Sequence, residues 1–366
     1  MTILDGLAAA GLTGRGGAAF RTAIKVRAAH HNGADLIVNA CDGEVGAAKD
    51  GWVVAHHLDE LVRGAALVTP GRRQTVRYAA HRGSGTEQRL RAAGVDVLGA
   101  PARYVSSEET SLISLAHDGL ARPMTKRAPF VFGGVDSRGR RIRPTVVLNA
   151  ETLWRVAQIA DHGPEWFRSV GTPDEPGPRL VTITGHVSAP GVVETSAGVS
   201  LADLLDSAGG LAPQATSILV GGLGGAFLTA GEARGAVWSG PGLAAYGAYL
   251  GPGVIEVIDP SSCPLAVVDR MLSYAAGESA GQCGPCMFGL PAIAADWHEL
   301  TTRPSHEVLT RLRDRLGVVS GRGACHFPDG VARFAASALR VFGPHLDLHV
   351  TGSCSRARRL EHVPAR

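Results

Sequence analysis

Over its first third the chain alternates short apolar runs with amphipathic stretches. Ala34 to Asn39 (ADLIVN) reads as a buried strand ending in a polar residue, and Leu58 to Val68 carries apolar residues at helical spacing. Gln74 to Tyr78 predicts the next strand, Glu87 to Ala93 a helix, and Val95 to Leu98 a third strand. Strands alternating with helices predict an open α/β layer whose ligands sit at the strand ends. Gly171 to Pro178 (GTPDEPGP) interrupts the pattern and is the best linker candidate. Beyond it, the β-branched alternation of Arg179 to Val187, the turn Ala189-Pro190-Gly191 and the run Val192 to Glu194 predict a hairpin. A short helix from Ser200 to Ala208, N-capped by Ser200, and a strand from Ser217 complete a small β-grasp-like module. From Ala266 onward four helical stretches (Ala266 to Ala276, Pro291 to Glu299, His306 to Leu316, Asp329 to Phe342) predict a bundle.

Composition agrees with a folded, multi-domain chain: 366 residues, 45% hydrophobic and 19% charged. A net charge of +3 with scattered arginines does not predict nucleic-acid binding. Only Lys25, Lys49 and Lys126 are lysine, which reads as genome composition rather than recognition. Six cysteines are too sparse for a secreted disulfide scaffold. Met1 to Ala10 lacks the basic start of a signal peptide, and no run approaches the ~18 apolar residues of a membrane span. The expected location is the cytoplasm.

Four features carry candidate chemistry. Gly14 to Phe20 (GRGGAAF) is a glycine-dense loop before a helical stretch containing Lys25, and suits either an anion or a plain surface turn. Asn39 to Gly46 (NACDGEVG) places polar and acidic groups after the first strand, where a ribose or ribityl hydroxyl or a carboxamide would bind, or where an exposed turn would be solvated. The pair Glu108-Glu109 opens a helix and by itself complements the helix dipole. Cys283-Gly284-Pro285-Cys286, with Cys325 a helical pair later, reads as a zinc, iron–sulfur or redox site. Cys41, Cys263 and Cys354 have no partner at ligand spacing and read as buried or incidental thiols.

Taken in order, these pieces resemble the 51 kDa flavoprotein (F-subunit) family of NADH:quinone oxidoreductase, complex I, with its diaphorase relatives in NAD-linked hydrogenases and formate dehydrogenases. The resemblance covers nearly the whole chain: Gly14 onward, Asn39 to Asp50, Tyr104 to Leu115, Lys126 to Phe130, Pro144 to Thr152 and Glu278 to Gly289 (ESAGQCGPCMFG). It implies an α/β FMN-binding domain (1–170), an SLBB-like β-grasp domain (171–255), a four-helix iron–sulfur domain (256–350) and a tail (351–366). It implies hydride transfer from NADH to FMN, then single electrons through an iron–sulfur cluster to a partner protein, a ferredoxin or a component of a membrane oxidoreductase. Such a chain would be peripheral to the membrane. Gly14, Arg15, Gly16, Lys25, Asn39, Asp42, Tyr104, Glu108, Asn149 and Thr152 fall on FMN positions; Phe20, Glu44, Glu109, Arg127 and Phe130 fall on dinucleotide positions, with Glu44 orienting the nicotinamide.

The chain also departs from the family pattern. Ala280 stands where a cysteine ligand is expected, which leaves Cys283, Cys286 and Cys325 and the alternatives of a [4Fe–4S] cluster, a [3Fe–4S] cluster or none. His326, Cys263 or Cys354 could supply a fourth ligand by folding back. Ser107 replaces a glycine and Leu148 an asparagine. Two rival readings follow: a degenerate non-catalytic scaffold, and a flavin–cluster carrier that does not use NAD(H).

Overall fold

The computed structural model describes residues 2–354, apart from positions 70, 72 and 137. Of the predicted tail, residues 355–366 lie outside the described residues.

The first part of the chain builds strands β1 (Asp35–Asn39), β2 (Val76–His81), β3 (Val97–Ala100) and β6 (Thr145–Asn149) into a parallel sheet in the order β3-β2-β1-β6. A short antiparallel ribbon of β4 (Gly134–Val135) and β5 (Arg141–Ile142) lies between β3 and β6 in sequence. Both β1 and β6 are buried along nearly their whole length, as parallel strands covered on two faces must be. The helices Leu58–Val68 and Ala150–Arg168 pack on the sheet and on each other. Their backbones approach so closely that a Cβ on Gly64 would lie 1.9 Å from the Leu153 carbonyl oxygen. The second helix kinks at Gly163, whose φ of 85° precedes Pro164. β2 and β3 each begin two residues later than their apolar runs predict.

Next come β7 (Pro178–Gly185), β8 (Gly191–Ser196), β9 (Ser217–Val220), β10 (Ala226–Thr229) and β11 (Val254–Val257), a five-stranded sheet in the order β10-β9-β11-β7-β8. The hairpin β7–β8 is antiparallel, while β11 runs parallel to β7 and antiparallel to β9. The helix Leu201–Asp206 is capped by the Ser200 hydroxyl, which accepts from the Ala202 and Asp203 amides, and it buries Leu201, Leu204 and Leu205 with Val181, Ile183 and Ile218. Gly171 to Pro178 is a fixed joint rather than a loose linker. Gly171 bridges to Pro176, and Gly177, at φ 86°, sits where any Cβ would fall within 2.0 Å of the Phe167 ring.

The helices Pro264–Glu278, Leu290–Thr302, His306–Val319 and Phe327–Val350 form the bundle. Trp297 is fully buried, with its indole N–H satisfied by the Leu265 carbonyl at 3.0 Å. The bundle core continues into the middle sheet, where the Phe227 ring packs tilted against Phe334 and edge-on against Phe342 at centroid distances of 5.1 and 4.9 Å.

Candidate functional site

In the parallel sheet the strand order reverses at β1, so the crevice between the carboxyl ends of β1 and β6 is where a ligand is expected. Asn39 and Asn149 are register partners at that point. Asn149 caps the helix Ala150–Arg168 by accepting from the Glu151 amide at 3.1 Å, and Asn39 donates to the Ser107 carbonyl at 2.9 Å. The glycine loop closes on itself through Gly14 N–H to Phe20 O at 2.8 Å and runs directly into the helix Thr22–Asn32. It lies over Asn149: a Cβ on Gly16 would stand 3.3 Å from the Asn149 Cβ. The Arg15 amide donates to the Thr152 hydroxyl at 2.8 Å. The fold thus gathers Gly14, Arg15, Gly16, Asn39, Asn149 and Thr152. The Arg15 guanidinium, however, is buried and donates to the carbonyls of Pro176 and Pro178. Burial, with Arg179 nearby, pushes its pKa down to about 9.

Sequence reasoning missed the polar group at the centre of this crevice. Lys49, 1% exposed, donates to Asp50 at 2.7 Å and to Asn149 at 2.9 Å, and pairs with Glu151 at 3.2 Å. Glu151 in turn accepts from the Leu180 amide at 2.7 Å, which ties the crevice to β7. A signal for it did exist. Lys25 and Lys126 both pair with Glu109, at 3.3 and 2.5 Å, so all three lysines of an arginine-biased chain serve carboxylates of this region. Their scarcity marks the site, where composition alone suggested nothing.

The acidic residues have defined partners. Asp42, at φ 47°, accepts from the Asp50 and Gly51 amides at 2.9 and 2.6 Å at the start of the helix Lys49–His56; burial and the Asp50 charge push its pKa up to about 7. Glu44 accepts from the Tyr104 hydroxyl at 2.6 Å and from the amides of Leu223 and Val45 at 2.7 and 3.0 Å, and burial pushes it up to about 7 as well. The Tyr104 amide donates to Glu278 at 2.7 Å. Glu108 is the N-cap of the helix Glu109–Asp118, accepting from the Thr110 and Ser111 amides. Burial opposes the Glu109 charge, but Lys25 and Lys126 outweigh it and hold the carboxyl below its ordinary range. At the rim, Phe20 is 48% exposed and Arg127 is open to solvent. Phe130 is only 7% exposed and packs against Gly134.

Ser107 fits because residue 43 is glycine. A Cβ on Gly43 would lie 1.8 Å from the Ser107 Oγ and 2.6 Å from its Cβ. Gly43→Ala is therefore expected to cost about 1–3 kcal/mol, and Ser107→Gly in the same chain to recover most of it. Denaturant unfolding of the single and double variants checks this; additive losses would refute the contact.

Cys283, Cys286 and Cys325 converge at the other side of Tyr104, whose ring lies 4.9 Å from that of Phe327. Burial opposes a thiolate at Cys283, but the amides of Ala324 and Cys286 outweigh it and hold the thiol below its ordinary value. Burial pushes Cys286 up to about 12 and Cys325 to about 11. The Ala280 amide reaches the Cys286 sulfur, so position 280 borders the thiols without supplying one. The donor set, three sulfurs and no carboxylate, suits an iron–sulfur cluster. His326 faces solvent and bonds Asp329 at 3.2 Å. Cys263, which is buried as expected, and Cys354 do not join these thiols; they meet each other beside His345 and His349.

Comparison with known proteins gives the same three regions in the same order. Residues 7–158 match the Nuo51 FMN-binding domain, 180–225 the SLBB domain, and 266–349 the NADH-ubiquinone oxidoreductase-F iron-sulfur binding region. The NADH-quinone oxidoreductase F-subunit of Mycobacterium tuberculosis is 30% identical, with 93% of this chain and 83% of that protein aligned. Its counterpart in Streptomyces coelicolor is 28% identical over 93% of this chain and 81% of its own length. Among solved structures, an NAD+-reducing [NiFe]-hydrogenase in the air-oxidized state superposes with a TM-score of 0.79 at 29% identity, covering 95% of this chain and 62% of that one. Its H2-reduced state gives 0.81 at 28% identity, covering 99% and 67%.

Proposed function

The chain belongs to the F-subunit family of NADH-quinone oxidoreductase, and from that premise we propose that it is an NADH-linked electron-transfer flavoprotein, a diaphorase-type oxidoreductase that works as part of a complex. The observation that carries this reading is one chain holding a glycine-loop crevice at the switch point and three converging thiols, with Tyr104 between them. The crevice fits FMN in its chemistry: a glycine-dense loop whose Gly16 lies over Asn149, amides and asparagines at the strand ends, and Lys25 on the helix that follows. The bound groups supply hydride acceptance from NADH and single-electron transfer.

Gly14, Arg15 and Gly16 offer backbone; Lys25, Asn39, Asp42, Tyr104, Glu108, Asn149 and Thr152 complete the FMN shell. Phe20, Glu44, Glu109, Arg127 and Phe130 take the dinucleotide. Cys283, Cys286 and Cys325 hold a [4Fe–4S] cluster whose fourth ligand is not cysteine. Met287 and Phe288, 52% and 70% exposed beside Cys286, offer a docking face to a protein redox partner. No described helix is long and apolar enough to cross a membrane, in keeping with a cytoplasmic chain that reaches the membrane only through a complex.

Anaerobic titration with NADH tests the reading. Bleaching of the flavin bands is expected; bound flavin that NADH leaves unbleached would favour the scaffold or carrier readings. Glu44→Gln, which replaces one acceptor oxygen of the carboxyl with an amide donor, is expected to slow NADH-dependent reduction about 10- to 100-fold with flavin content unchanged. Equal loss of both would place Glu44 in the FMN shell. The same substitution has a signature in stability. A carboxyl whose pKa rises from 4.5 to about 7 on folding keeps its proton in the folded state only, so stability falls as pH rises across that window. Unfolding of Glu44→Gln at pH values inside and above the window should show a shallower fall.

A further inference from the structure

Cys263 caps the first bundle helix, Pro264–Glu278, and is fully buried. His345 and His349, one turn apart, share a face of the last helix, Phe327–Val350. After that helix the chain bends back at Gly352, φ 67°, and the Ser353 and Cys354 amides both donate to the Leu348 carbonyl, at 2.8 and 3.2 Å. These steps bring together residues that lie 82 and 86 positions apart in the chain.

The result is a compact donor set. The Cys263 sulfur lies 3.2 Å from His349 Nε2 and 3.6 Å from His345 Nε2, and the Cys354 sulfur lies 3.4 Å from His345 Nε2. All four ligand atoms fall within 4.8 Å of one another. A zinc tetrahedron with bonds of about 2.3 Å to sulfur and 2.0–2.1 Å to nitrogen needs ligand–ligand edges of about 3.3–3.8 Å.

A second observation concerns the ring orientation. His349 Nδ1 lies 2.7 Å from the Thr301 carbonyl oxygen. A carbonyl can only accept, so Nδ1 carries the proton and, in the neutral ring, Nε2 turns its lone pair toward the sulfurs. This outer hydrogen bond is the one that orients metal-bound histidines.

We propose that Cys263, His345, His349 and Cys354 bind one zinc ion in a closed tetrahedral site. Two sulfurs and two imidazoles select zinc among the divalent ions, and four protein ligands leave no position for a substrate. The site therefore acts structurally. It pins the start of the first bundle helix, the end of the second through Thr301, and the end of the fourth. It is separate from Cys283, Cys286 and Cys325, which sit beyond the opposite end of the first helix, a span of 15 residues or about 22 Å.

The full chain, expressed with zinc in the medium and purified anaerobically without chelator, provides the test. Elemental analysis should find one zinc per chain, counted alongside iron and flavin in the same samples. X-ray absorption at the zinc edge should show two sulfurs and two nitrogens at about the distances given above. Cys354→Ser and His349→Gln should lower zinc affinity at least about tenfold while iron and flavin stay constant. Zinc at a small fraction of one per chain, zinc retained by both variants, or a Cys263–Cys354 disulfide in the anaerobic protein would overturn the proposal. If the variants do not fold, the ligand count from the wild-type absorption edge decides alone. Loss of iron and flavin with zinc intact would count against the functional reading and leave this site standing.

Discussion

Replacing Lys49 with methionine is expected to destabilise the protein by about 3–5 kcal/mol, the range for breaking a buried pair by removing one partner. The ammonium is 1% exposed and stands between Asp50 at 2.7 Å and Glu151 at 3.2 Å, neither of which is open to water. Methionine fills similar volume but leaves Asp50 buried without a paired cation and Glu151 with Arg155 alone, at 3.8 Å. Thermal unfolding of the 366-residue chain should register a fall of roughly 4–7 °C. Asp50→Asn added to Lys49→Met should recover part of the loss by removing the charge left without a partner. Burial opposes the Lys49 charge, but Asp50 and Glu151 outweigh it, so its folded pKa lies above 10.5. The contribution is therefore complete below that value and is lost as pH rises through the folded pKa. A variant within about 1 kcal/mol of the wild type would show that the network is not what holds the crevice.

The second large effect is chemical. Cys283→Ser should remove the iron–sulfur signal in electron paramagnetic resonance, with iron content falling by about tenfold or more, while flavin stays bound. Cys283 is the thiol of its group that the Ala324 and Cys286 amides favour as a thiolate, and a serine hydroxyl does not ionise there. With Ala280 supplying no sulfur, only Cys286 and Cys325 would remain. Retained flavin separates loss of the cluster from loss of the fold, because the crevice belongs to the parallel sheet and the thiols to the bundle. An unchanged resonance signal would show that the ligand assignment is wrong.

The parts of the fold that were legible in the sequence share one property: their signal is local. Leu58 to Val68 has helical periodicity and forms that helix, and the Ser200 cap is visible as a serine before an apolar run. The apolar runs place β2 and β3 two residues early because the inner ends of these strands are Ala79, Ala80, Gly99 and Ala100. Small residues pack under helices but carry no β-propensity. The glycine loop and the thiol triad are visible as motifs. Lys49 and Glu151 are not, because a charge on a helix looks solvated until another element covers it. Cys263, His345, His349 and Cys354 are ordinary residues until the first and last bundle helices are aligned.

Glu44 shows what this arrangement means for modularity. Its carboxylate belongs to the α/β layer, yet it is held by the amide of Leu223, 179 positions later, while Tyr104 beside it is held by Glu278 from the bundle. An excised first domain would keep every residue of the crevice and lose the partners that set the Glu44 carboxylate in place. The three segments can be named separately, but they are not interchangeable cassettes. A graft that exchanged the middle module would have to bring its own glycine turn, at Gly222 with φ 67°, where a Cβ would lie 2.4 Å from Glu44. The Glu44 side of the pocket is thus inherited by the whole chain together.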